Sequence, residues 1–176
     1  AYGLPAYITA VTKTAPGIPV ASKPVSATIS AFAAQWNGMA SAKFIAALLK
    51  KGVKVRYAEQ PFSAQGINFE KGTLIITRTS NTSFGNTLEE IIKEVAQSSG
   101  QRYFPLQSGF VEKGFDFGSD RVRIIHAPKI TLLAGEGVSS LGMGEIWHFF
   151  DAQLNYPINI VWVNDLNKNV LKETDV

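Results

Sequence analysis

Lys129-Ile130-Thr131-Leu132-Leu133-Ala134-Gly135-Glu136-Gly137-Val138-Ser139-Ser140 opens the stretch whose reading decides the expected fold, and that stretch runs on to Val163. Ile130 to Ala134 is an apolar run of β type, broken by Gly135-Glu136-Gly137. Gly142 and Gly144 lead into Glu145-Ile146-Trp147-His148-Phe149-Phe150-Asp151-Ala152-Gln153-Leu154. Ile146, Phe149, Phe150 and Leu154 recur at near-helical spacing, which predicts a helix with one apolar face. Tyr156-Pro157 stops it, and Ile158 to Val163 reads as a second buried strand. Strand, glycine turn, helix and strand form a βαβ unit, which predicts a parallel crossover. The expected class is α/β: a mostly parallel sheet flanked by helices.

Upstream of that unit the same alternation recurs. Residues 1–25 hold Pro5, Pro16, Pro19 and Pro24 and read as a connector, with Tyr7 to Val11 as a short edge strand. Thr28 to Ala33 is β-compatible. Ser41 reads as the N-cap of a helix over Ala42 to Lys51 that ends at Gly52. Val53 to Tyr57 alternates as a half-solvated strand, 66–71 reads as a hairpin or loop, and Thr73 to Thr77 is the strongest strand signal. Thr87 and Glu90 fit a capping box, and Leu88, Ile91, Ile92 and Val95 give a helical stripe up to Gly100. Arg102 to Leu106 reads as a strand that Pro105 places at an edge, followed by a glycine-rich loop. The expected division is a connector over 1–25, an α/β region over 26–127 and a first βαβ unit over 128–176, with the boundary near Ala127-Pro128.

Two segments carry a resemblance to a known family. Lys129-Ile130-Thr131-Leu132-Leu133, Gly-Glu-Gly-Val-Ser-Ser and Gly-Glu-Ile-Trp-His-Phe-Phe resemble the opening of an amidotransferase-like α/β region in large bacterial proteins. Those proteins carry a carboxypeptidase A-type zinc peptidase domain in front of it. Ser41 to Phe44 and Val53 to Glu59 resemble the region just upstream, so the likeness runs from about Trp36 onward. It implies a flavodoxin-like or class I glutamine amidotransferase-like sheet, cut off at its C-terminal end, since Asp175-Val176 reads as the start of a third parallel strand. It also implies a secreted or periplasmic parent, zinc held only in the parent's peptidase domain, and other domains of that parent as partners. Ala1-Tyr2-Gly3 likewise reads as the interior of a longer chain.

Composition bounds the chemistry. A hydrophobic share of 45% against 18% charged residues is that of a folded chain. The net charge of +3 comes from scattered lysines and arginines, whereas nucleic-acid binding calls for a concentrated basic face. The absence of cysteine excludes disulfides and thiolate metal sites. No apolar run approaches the ~18 residues of a membrane helix.

The candidate ligand-binding residues are Gly135, Glu136, Gly137, Ser139 and Ser140, a glycine turn at a helix start where backbone N–H groups attract anions. The dinucleotide spacing fails, because Ser140 stands where the third glycine would be and Asp165 lies too far along for a ribose contact. Glu145 and His148 have the i, i+3 spacing of some metal sites, yet His126 is the only other histidine and zinc takes three or four ligands. Neither histidine is followed three residues on by glutamate; Lys129 and Asp151 hold those places. Ser139-Ser140 lacks the Gly-x-Ser-x-Gly context of a nucleophile and reads as a helix cap. Amidotransferases of the resembled kind use a cysteine that this chain lacks. Trp147, Trp162, Phe149 and Phe150 read as core. The expected role is a non-catalytic accessory segment, with no cofactor of its own and homo-oligomers through an open sheet edge. The rival role is a small-molecule or peptide binding module at the Gly135–Ser140 turn.

Overall fold

The computed structural model describes residues 28–176; the connector and the edge strand expected at Tyr7 to Val11 lie outside the described residues. The first strand, β1 (Ala31–Ala34), is buried on both faces, with all four residues fully covered. It leads through Asn37 into α1 (Gly38–Lys50), and then come β2 (Val55–Ala58), the hairpin β3 (Phe62–Ala64) and β4 (Ile67–Phe69), and β5 (Leu74–Thr77). Helix α2 (Thr87–Ser99), β6 (Phe104–Leu106) and β7 (Val122–Ile125) complete the first part. The hairpin turns on Gln65 and Gly66, both at positive φ, the geometry of a tight two-residue β-turn.

The sheet overturns the expected class. It has five strands in the order β6-β1-β5-β2-β7, and every neighbouring pair is antiparallel. The mostly parallel, flavodoxin-like or amidotransferase-like sheet is therefore incorrect for this chain. The physical reason lies in the crossovers. β1 and β2 both pair antiparallel with β5 and so run in the same direction, as a strand-helix-strand unit demands, but β5 lies between them. β5 and β6 likewise share a direction around α2 and are split by β1. These are two interlocked split βαβ units, the ferredoxin-like pattern. The β3–β4 hairpin is inserted between β2 and β5, and β7 is added beside β2.

Both faces of this sheet are covered. Phe32, Leu74, Ile76 and Val55 face α1 and α2 and meet Phe44, Leu48, Leu88 and Ile92. The opposite face carries Ala31, Ala33 and Ile75, capped by the hairpin and the 107–121 loop through Phe62, Phe69 and Phe117. Phe62 stacks on Phe69 with centroids 4.8 Å apart, and Phe117 meets Phe62 edge-on at 5.5 Å. Small alanines on β1 let the aromatic layer approach the sheet.

Two local expectations change as well. Helix α1 begins three residues before Ser41, and Ser41 is fully buried inside it. Its hydroxyl accepts from Asn37 N–H at 2.7 Å and donates to Gln101 Oε1 at 2.7 Å, so it ties the helix start to the end of α2. Thr87 makes no capping box; its hydroxyl donates to the Phe84 carbonyl at 2.7 Å.

The second part is a βαβ unit of its own. β8 (Thr131–Ala134) is followed by α3 (Ser140–His148), a π-helical turn over Phe149–Gln153, β9 (Asn159–Trp162) and the short α4 (Lys168–Lys172). β8 and β9 pair in parallel, with Leu132 opposite Ile160 and Ala134 opposite Trp162. Parallel pairing among the named strands is confined to these two. The far edge of β8 is partly taken: Thr131 N–H donates to Val176 O at 2.9 Å and Asp175 N–H to Lys129 O at 2.8 Å.

Asn81 is the buried polar link in the five-stranded sheet. Its Oδ1 accepts from Lys54 N–H at 2.7 Å, and its Nδ2 donates to the carbonyls of Lys54 and Thr77 at 3.0 Å each. Asn81→Ala strands three main-chain groups away from water, and chemical denaturation should show a loss of about 2 to 3 kcal/mol.

Candidate functional site

The Gly135–Ser140 turn sits where β8 hands over to α3. Gly135 has φ +111 and Gly137 φ +83, conformations that favour glycine. At Gly135 space is closed too: an added Cβ would lie 3.0 Å from the Trp162 ring, so the indole of β9 rests on the glycine's Cα. Val138 N–H donates to Gly135 O at 3.1 Å and closes the turn. Ser139 is the N-cap of α3, its Oγ accepting from Gly142 N–H at 3.2 Å. The helix begins at Ser140, five residues earlier than the apolar spacing predicts, because the Ser139 cap and not the apolar stripe sets its start.

The five candidate residues therefore share one short segment, with Glu136, Gly137, Ser139 and Ser140 exposed to solvent. The amides of Gly137, Ser140 and Leu141 have no protein acceptor among the described residues. Glu136 places a carboxylate in the same turn, opposing any anion held there. The rest of the chemistry-bearing set is not convened. His126, at the end of β7, and His148, at the end of α3, are both exposed, and among the described residues no three His, Asp or Glu side chains converge as metal ligands do. Glu59 is engaged by Arg123 at 2.6 Å and Arg121 at 3.7 Å, so part of the basic charge along β7 is paired.

What sequence reasoning missed is apolar. Trp147 and Trp162, expected in the core, are 43% and 60% exposed, and Leu141 is 75% exposed. α3 and β9 bury no residue fully. In this unit only Ala134 and Tyr156 are buried; Tyr156 and the half-buried Phe150 and Leu154 line, with Ile130 and with Ile45 and Leu49 of α1, an apolar cleft of about 160 Å³. Lys50 Nζ ties α1 to this unit by donating to Asn155 O and Oδ1 at 3.1 and 2.8 Å. Periodicity marks these side chains as apolar but does not report which side of a helix has a neighbour. Among the described residues no helix is long and apolar enough to cross a membrane.

Comparison with family models, with curated proteins and with solved structures gave no match.

Two outcomes follow from this geometry. Gly135→Ala imposes a disfavoured backbone and pushes on Trp162, and should lower stability by about 1 to 3 kcal/mol in thermal or urea unfolding. Tyr156 is buried, its hydroxyl donating to Pro128 O at 3.0 Å, and burial together with the Asp175 carboxylate raises its pKa above the usual 10. The neutral phenol is favoured in the folded state. Its contribution is thus complete below pH ~10 and is lost as pH rises from there toward the raised value. Tyr156→Phe should flatten that part of the alkaline stability profile.

Proposed function

We propose that this chain is a non-catalytic accessory α/β segment that docks against other domains of a zinc carboxypeptidase-like protein, secreted or periplasmic. The observation that carries the reading is the apolar surface of the second unit. Leu141, Ile146 and Trp147 are exposed together on the single helix α3, within seven residues. Exposed apolar area of that density marks an interaction surface. The resemblance of Lys129 to Phe150 and of Ser41 to Glu59 supports a peptidase-bearing parent as the source of the partner domain.

Calorimetric titration of the chain with a carboxypeptidase A-type catalytic domain tests it. Binding should be seen with the native chain and should fall at least tenfold for Leu141→Glu/Trp147→Glu, whose melting temperature stays unchanged because neither side chain is in the core. Absence of any heat with the native chain would remove the docking reading.

A second reading is favoured by the free amides of Gly137, Ser140 and Leu141: a binding module for small anions or peptide carboxylates at this turn. Chemical-shift changes at Gly135 to Ser140 on titration with phosphate or a peptide carboxylate support it; unchanged shifts leave the turn a structural one.

A further inference from the structure

Among the described residues β9 is an open edge that no other segment pairs with. In the parallel register with β8, Asn159 and Val161 direct their main-chain groups to β8, since Asn159 N–H donates to Ile130 O at 2.9 Å. The N–H and C=O groups of Ile160 and Trp162 therefore point outward, where no strand of the described residues pairs with them. Natural edges are guarded by lysine, proline or a bulge. Between Asp151 and Asp165 this chain has no charged residue, and Pro157 lies before the paired segment. Ile160 is 46% and Trp162 60% exposed on the same edge.

We propose that this edge is a homodimer interface in which β9 of two copies pair antiparallel about a two-fold axis at Val161. The inference rests on reading the second unit as an assembly surface, and it commits to a second copy of this chain as the partner. The outward groups dictate the register: Ile160 exchanges both hydrogen bonds with Trp162 of the other copy, and the symmetry repeats the exchange, giving four main-chain bonds. Val161 then faces its own symmetry mate as a non-hydrogen-bonded pair. Two cross-strand pairs of isoleucine with tryptophan result, of the aromatic with β-branched kind that stabilises sheets. An uncharged edge suits this arrangement, because a two-fold axis would set any charge near the axis close to its own copy. The product is a continuous sheet β8-β9-β9-β8 that has lost both exposed β9 edges. The contact is short, which places it among small, reversible interfaces.

The chain has no native cysteine, so single cysteines report the register cleanly. In an antiparallel non-hydrogen-bonded pair the Cα atoms are about 4.5 Å apart, within disulfide reach. Val161→Cys should therefore oxidise to a covalent dimer many times faster than Asn159→Cys, which is more exposed but sits two residues from the axis. Sedimentation of the native chain should shift toward dimer as concentration rises, and Ile160→Lys should abolish the shift with an unchanged melting temperature. Leu141→Glu/Trp147→Glu, which removes docking to a catalytic domain, should leave the dimer intact, so the two proposals fail separately. A native chain that stays monomeric at about millimolar concentration, the weak end of small interfaces, would overturn the inference. So would equal cross-linking rates for the two cysteine variants.

Discussion

The pairing of β5 with both β1 and β2 is the constraint on which the rest of the structure depends. Leu74, Ile75 and Ile76 are buried on both faces of the sheet, and β5 has no free edge. Its insertion forces each strand-helix-strand unit to straddle a strand of the other. The two units therefore cannot form separately, and their helices are brought to one face, where α1 and α2 share a core with Phe32 and Val55. Such pairing joins residues far apart in the chain, which makes the sheet a cooperative whole and not a stack of local units.

The opposite face shows what the fold had to add. A split βαβ sheet with both helices on one side leaves its other side bare. Here the β3–β4 hairpin and the 107–121 loop cover it with Phe62, Phe69 and Phe117. Gly114 marks how close that cover lies: a Cβ there would stand 2.8 Å from Phe62 Cβ. The second unit received less. Beside α1 an apolar cleft stays open, lined by buried Tyr156 and half-buried Phe150 and Leu154, while the outer side of α3 and the edge of β9 lie in solvent. Exposed apolar area and free main-chain groups therefore coincide on the second unit.

The candidate site was only partly legible. Glycines flanking Glu136, followed by serines, signal a turn into a helix whatever the fold, because backbone conformation and capping are decided within a few residues. Ser139 caps α3 as that logic requires. The contact that gives Gly135 its second reason, the indole of Trp162, comes from 27 residues further along and has no local signature. The exposure of Trp147 and Trp162 was illegible for the same reason: the sequence states that a residue is apolar, not that a neighbour exists to cover it.

By itself the sequence determined the local elements: the helices around Phe44 and Ile92, the strands at Ile75 and Leu132, and the punctuation at Gly52, Gly100 and Pro157. It determined the parallel β8–β9 unit too, because strand, helix and strand there are consecutive and pair directly. Tertiary structure alone decided the architecture of the five-stranded sheet. Strand-helix-strand reads the same whether the two strands become neighbours or leave a gap, since either choice satisfies the helix and keeps the strands in one direction. What settles it is a third strand, β5, competing for the place between them, and that competition is a property of the whole chain and of no segment in it.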